Sequence, residues 1–209
     1  FALVLAIPFG VLAAWKRGSL ADYTLMGASL VGMAVPSFLL GLLLMLAFGV
    51  KLGWLPVAGY KPLSAGLAEH VKYLILPALS LGSIQAALIA RMTRASVLEI
   101  LNLPFIRTAR SKGLGEASVV GKHALRNALL PILTVIGQTF GTLVTGAVVV
   151  ESIFNIPGLG QLILNSIERR DYAVIQGVVL VVTLMYVAIN LIVDLLYGAV
   201  DPRVRLDRR

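Results

Sequence analysis

Apolar residues in this chain come in long blocks, and almost all of its charge lies in the segments between them. The first block, residues 1–14, is shorter than the about 20 residues a helix needs to cross a bilayer, and reads as the second half of a span. After Lys16, Arg17 and the polar link GSLADY, a nearly uncharged run extends from Leu25 to Val50, interrupted by Pro36 and Ser37. A proline there removes one backbone donor and kinks a helix, so the run predicts one span with a bend. A loop from Lys51 to Lys72 follows, with Trp54 and Tyr60 suited to lipid headgroups. The third span is predicted from Tyr73 to Met92, opening near Pro77, its helix continuing past Arg91 and Arg94 until Asn102 and Pro104 stop it. The fourth runs from Leu129 to Val150 and the last from Val174 to Val200. Between them, Pro157, Gly158 and Gly160 make a turn before a short amphipathic piece, Leu162 to Ile167, suited to the outer membrane surface.

The pattern predicts an all-α fold, a polytopic transmembrane helical bundle. It has five spans, the first truncated, in a single domain over 1–209 that contains a cytoplasmic loop over 95–127. That the chain opens on Phe1 within an apolar run fits an N-terminal truncation.

Composition agrees with a membrane protein: 58% of the 209 residues are hydrophobic, 13% are charged and the mean hydropathy is +0.92. A soluble domain is apolar over about 45–50% of its residues. The net charge of +8 is unevenly spread. Thirteen lysines and arginines fall in the segments 16–22, 91–127 and 201–209, against five on the other side: Lys51, Lys61, Lys72, Arg169 and Arg170. The positive-inside rule then puts the 95–127 loop and the C-terminus in the cytoplasm. The basic residues do not form one stripe interleaved with aromatics, which argues against a nucleic-acid partner.

Candidate chemistry is sparse. There are no cysteines, which removes disulfides, thiolate metal sites and cysteine nucleophiles. His70 and His123 stand far apart with no zinc-ligand motif around them, so no metal site is expected. Asp194, one helical turn from Asn190, is the one acid within a predicted span and sits near its cytoplasmic end, which suits pairing or a helix-helix hydrogen bond better than chemistry. The phosphate-cradling pattern GxxxxGK[ST] is missing, so ATP hydrolysis, if transport uses it, falls to another subunit. In the fourth span Gly137 and Gly141 have the GxxxG spacing, which reads as a helix packing contact.

The segment from Arg107 to Pro131, RTARSKGLGEASVVGKHALRNALLP, is neither apolar enough to span a bilayer nor short enough to be a turn. Arg107, Arg110, Lys112, Lys122 and Arg126 could act simply as topology anchors on anionic lipid. Yet Gly113 and Gly115 follow a basic helix and precede a second, short one with Val119, Val120 and Leu125 as an apolar stripe. An anchor needs neither the turn nor the stripe. A helix-turn-helix gripped by a cytoplasmic partner could pass motion to the two spans it joins.

This order of elements, with ARSKG followed by HALRNALLP, resembles the cytoplasmic loop of the membrane subunits of binding-protein-dependent ABC importers. Within them it looks like the dipeptide, oligopeptide and nickel permease family. The resemblance covers the whole chain through VPSFLLGLLLML, LGWLPVAGY, VESIFNIPGLGQL, RRDYAVIQG and NLIVDLLYGAVDPRVR. Against the general importer signature, with Gly113 as its glycine, only Ala109, Gly113 and Leu125 match; the later part of that signature falls on His123 to Arg126. The peptide branch departs in this way, its proline lying further on, here Pro131.

The resemblance implies a permease subunit of an ATP-driven importer for short peptides or a similar small solute, in a bacterial or archaeal cytoplasmic membrane. It implies that the chain is not itself an enzyme and binds no cofactor, ATP being held by partner subunits. The implied partners are a second, homologous permease, two cytoplasmic ATPase subunits, an extracytoplasmic solute-binding protein and membrane lipid. The loop that docks on the ATPase would be carried by Arg107, Ala109, Arg110, Lys112, Gly113, Gly115, Glu116, Val119, His123, Leu125 and Arg126. A secondary transporter or channel, not driven by ATP, is the alternative.

Overall fold

The computed structural model describes residues 1–200, and the arginine-rich tail at 201–209, whose cytoplasmic side the charge count predicts, lies outside the described residues. Among the described residues the chain is helical throughout its regular structure: α1 (Ala2–Trp15), α2 (Leu20–Ala34), α3 (Ser37–Leu44), α4 (Leu67–Leu101), α5 (Pro104–Ser111), α6 (Glu116–Ser118), α7 (Leu125–Phe154), α8 (Leu159–Glu168) and α9 (Tyr172–Val200). Two π-helical stretches, Met45–Lys51 and Val119–Ala124, continue α3 and join α6 to α7.

The bilayer-crossing segments differ from the sequence reading in three places. First, the bent span predicted over Leu25 to Val50 is two helices, α2 and α3, parted at Val35 and Pro36. The proline does more than kink: at φ −58° and ψ 142° it forms the N-cap of a new helix. The residue ahead of it is pushed out of helical geometry by the proline ring. Second, α4 begins at Leu67, after Gly66 at φ 108°, so it takes over the end of the predicted loop and encloses Pro77. Its 35 residues span roughly 52 Å at 1.5 Å each, well beyond the about 30 Å of hydrocarbon. It ends at Leu101, ahead of Asn102 and Pro104, as the sequence predicts. Third, α6, the π-helical stretch and α7 follow without a break from Glu116 to Phe154, so the short second helix of the loop is the opening of the fourth span.

The number of crossings depends on how broken helices count. Among the described residues, three helical stretches, 67–101, 116–144 and 172–198, are long and apolar enough to cross a membrane singly; the total is up to five if α2 with α3, and the end of α7 with α8, each count as one. The last pair bends by 86°.

The chain forms two compact units, each drawn from separated stretches of sequence. One comprises Phe1, Met33–Gln85 and Phe140–Val187; its core is built from Met45, Leu76, Val150 and Phe154. There Ser80 Oγ donates to the Ser37 carbonyl at 2.6 Å, and Gln85 Nε2 donates to Thr142 Oγ1 at 2.8 Å. The other holds Ala2–Gly32, Ala86–Thr139 and the chain from Ala188. Its core joins Ala6 and Ala14 of α1, Ile89, Ala90 and Val97 of α4, Ile106 and Ala109 of α5, and Val119 to Val135 of the next helix.

Candidate coupling loop

The loop is held by this second core. Pro104 opens α5 in its first turn, where a missing N–H costs nothing, and the helix runs to Ser111. Lys112 caps it and Gly113 follows at φ +78°, the left-handed region. The Gly113 amide donates to the Arg110 carbonyl at 2.9 Å and the Leu114 amide to the Ala109 carbonyl at 3.4 Å. These two bonds form a Schellman motif, which satisfies carbonyls that the end of a helix would otherwise leave open. Gly115 is the N-cap of the next helix, its carbonyl accepting from Ser118 and Val119.

Across the turn, Arg110 Nε donates to Glu116 Oε1 at 2.7 Å and its Nη2 to Oε2 at 3.2 Å. This pairing raises the Arg110 guanidinium above its ordinary value. With side chains 42% and 48% exposed, such a pair stabilises by at most about 1 kcal/mol. Its effect is to fix the shape of the turn.

The loop has an inner and an outer face, and the division departs from the sequence reading. Val119, Val120 and Ala124 are buried, packed in one cluster with Ile106, Ala109 and Val97. The apolar stripe of Val119 and Val120 therefore serves the protein's own core, and Leu125 packs against it half-buried. Arg107, Arg110, Lys112, Gly113, Gly115, Glu116, Lys122 and Arg126 are exposed and His123 is half-buried. The apolar residues on the outside are Leu103, Phe105 and Leu114. Sequence periodicity passed over these because they flank the proline and the glycines and lie on no helical stripe.

Gly137 is buried, and a Cβ there would stand 3.5 Å from Val193 and 3.8 Å from Asn190 Oδ1; one at Gly141 would stand 3.5 Å from the Tyr186 ring. Both glycines of α7 thus face α9, and Tyr197 donates to Thr134 Oγ1 at 2.6 Å along the same helix pair. His70 Nδ1 lies 2.6 Å from the Lys61 carbonyl and edge-on to Tyr60. No group of three metal-ligating side chains occurs among the described residues.

One polar constellation went unread in the sequence. Asp22, in the first turn of α2, is buried and paired with Arg94 of α4. The polar link and the exit of the third span lie 72 positions apart, and only the fold brings them together.

The sequence pattern of the family described as "Binding-protein-dependent transport system inner membrane component" matches residues 6–206. The di/tripeptide transport system permease protein DppB of Pseudomonas aeruginosa (strain UCBPP-PA14) is 45% identical over 228 residues, covering 100% of this chain and 68% of that protein. The dipeptide transport system permease protein DppB of Escherichia coli (strain K12) is likewise 45% identical, over 98% of this chain and 67% of its own length. A putative peptide transport system permease protein of Brucella abortus (strain 2308) is 48% identical over 96% and 64%. The chain thus spans about two thirds of the length of these relatives, and its helical architecture is that of a membrane permease domain. It belongs to the inner membrane components of binding-protein-dependent transport systems.

Proposed function

We propose that the chain is one half of the translocation unit of an ATP-driven importer, and that its solute is a short peptide. The peptide assignment rests on relatives at 45% identity that are named for dipeptide and di/tripeptide transport. In this reading a second permease of the same family completes the pathway, a solute-binding protein delivers from outside, and two ATPase subunits dock in the cytoplasm. The C-terminus lies on the ATPase side, by the excess of lysine and arginine in the segments 16–22, 91–127 and 201–209. The chain itself binds no cofactor; ATP sits on the docked subunits.

The observation that carries the docking role is the two-faced loop. Its inner residues Ile106, Ala109, Val119, Val120 and Ala124 are fixed in a core with Val97 of α4, and its outer face offers Arg107, Arg110, Lys112, Leu103, Phe105 and Leu114. A partner that grips the outer face moves the ends of α4 and α7 with it, because the core between them is close-packed and transmits displacement. The test is purification of the complex with its ATPase subunits and measurement of ATP hydrolysis against a panel of dipeptides, amino acids and metal ions. Stimulation by dipeptides supports the reading; solute movement without any bound ATPase would favour a secondary transporter and overturn it.

A further inference from the structure

The Asp22 carboxylate is 2% exposed and fully engaged. Arg94 Nε donates to Oδ1 at 2.6 Å, Arg94 Nη2 donates to Oδ2 at 2.7 Å, and the Gly18 amide donates to Oδ2 at 3.0 Å. The Asp22 amide is itself met by Ser19 Oγ at 3.4 Å. Two planar groups joined by two parallel bonds define direction as well as distance. Stability is a poor reason for such a pair, since removing two charges from water costs about what their attraction returns.

What the pair joins is more informative. α2 buries only Asp22 and Ser29, and Ser29 spends its hydroxyl on the Leu25 carbonyl of its own helix. No residue of α2 belongs to the apolar core beneath the loop, whereas α1, α4, α5 and α7 all contribute to that core. Arg94 stands one turn from Val97, which is completely buried in it. The helix that follows the Lys16–Ser19 turn is therefore held to α4 by this charged pair near its start and, further along, by the approach of Gly32 to Ala87, where a Cβ would stand 3.6 Å away.

We propose that the Asp22–Arg94 pair is the mechanical link that carries movement of the coupling loop to α2 during import. This rests on the importer reading above and adds to it two positioning residues outside the loop. Core packing moves α4 with the loop; the bidentate pair moves α2 with α4. Because the pair is directional, it transmits rotation of α4 as well as translation, which a single apolar contact would allow to slip.

The chain has no cysteines, so a dicysteine variant, Asp22→Cys with Arg94→Cys, removes both charges together and lets the link be remade with a short bis-thiol crosslinker. The sample is the complete complex in lipid vesicles, with a dipeptide as solute. Before crosslinking, bound ATPase and basal hydrolysis are expected within about twofold of the unaltered complex while uptake falls roughly tenfold; crosslinking restores uptake. Uptake that stays near normal without the crosslink overturns the link. So does lost uptake that crosslinking leaves low, or loss of bound ATPase, which would make the pair an assembly element. An unaltered complex that binds no ATPase would instead sink the importer reading, so the two failures are told apart.

Discussion

Glu151 caps the helix that follows its own: its Oε2 accepts the amide hydrogen of Gln161, in the first turn of α8, at 3.0 Å. That amide is one of the four that the start of a helix leaves without a partner, and a carboxylate there also complements the helix dipole. Gly158 and Gly160 make room for it, since a Cβ at either would overlap the carboxylate, and one at Gly160 would stand 2.5 Å from Val148 Cα. Glu151→Ala is expected to cost about 1 kcal/mol and to speed hydrogen exchange at the amides of Leu159 to Gln161. Gly160→Ala is expected to be worse, because the Val148 backbone cannot move aside as a side chain can. Unchanged exchange in Glu151→Ala would remove the cap from the account.

Gly113 is the natural place to test coupling. Its φ of +78° costs other residues about 1 kcal/mol or more, and nothing lies within 4 Å of where a Cβ would stand. Gly113→Trp should therefore insert and fold while its ring projects outward, into whatever receives the loop. Solute-stimulated ATP hydrolysis is expected to be lost with membrane expression unchanged. Leu114→Asp, at a side chain 40% exposed, should act the same way without backbone strain. Val119→Asp would be uninformative, since it would bury a charge in the core. Full stimulation in both Gly113→Trp and Leu114→Asp would leave the loop as a topology anchor.

How far the sequence could be read follows from where each signal lies. The end of α4 at Asn102 and Pro104, the turn at Pro157 to Gly160 and the glycine closing α5 were legible, because each is set by residues within one turn of chain. The face of the loop was not. Val119, Val120 and Leu125 read as the apolar side of a short helix, and only their packing in one cluster with Val97 and Ile106 determines that this side points inward. The Asp22–Arg94 pair left no trace either, its members being 72 positions apart, one in a polar link and the other at the exit of a span. The π-helical stretches are equally silent in the pattern, since one residue added to a turn leaves apolar composition unchanged.

Glycines that look alike in sequence should respond differently to substitution. A Cβ at Gly10 would stand 2.6 Å from both the Ala90 carbonyl oxygen and Thr93 Cβ, so Gly10→Ala is expected to destabilise by about 1–3 kcal/mol. Gly27→Ala meets nothing within 4 Å and should gain about 0.5–1 kcal/mol from helix propensity. Gly141→Ala should be tolerated at 3.5 Å from Tyr186, whereas Gly141→Leu should disrupt the α7–α9 contact, and Leu143→Ala should matter less. Thermal unfolding in detergent ranks these variants. Equal midpoints for Gly10→Ala and Gly27→Ala would refute the close approach of α1 to α4.

Orientation is testable with single cysteines in this cysteine-free chain. An impermeant thiol reagent should label positions 60 and 168 in intact cells and spare 112, following the asymmetry of basic residues. The reverse pattern would put the loop outside and end the docking proposal.

The inward packing of the loop also limits how it can be exchanged between transporters. Ile106, Ala109, Val119, Val120 and Ala124 share a core with Val97, so this stretch is no detachable module. Transplanting 104–126 whole from a relative would import side chains shaped for another interior. Redirecting the permease to a different ATPase calls for a resurfaced loop, with Leu103, Phe105, Arg107, Arg110, Lys112 and Leu114 replaced and the buried positions left as they are.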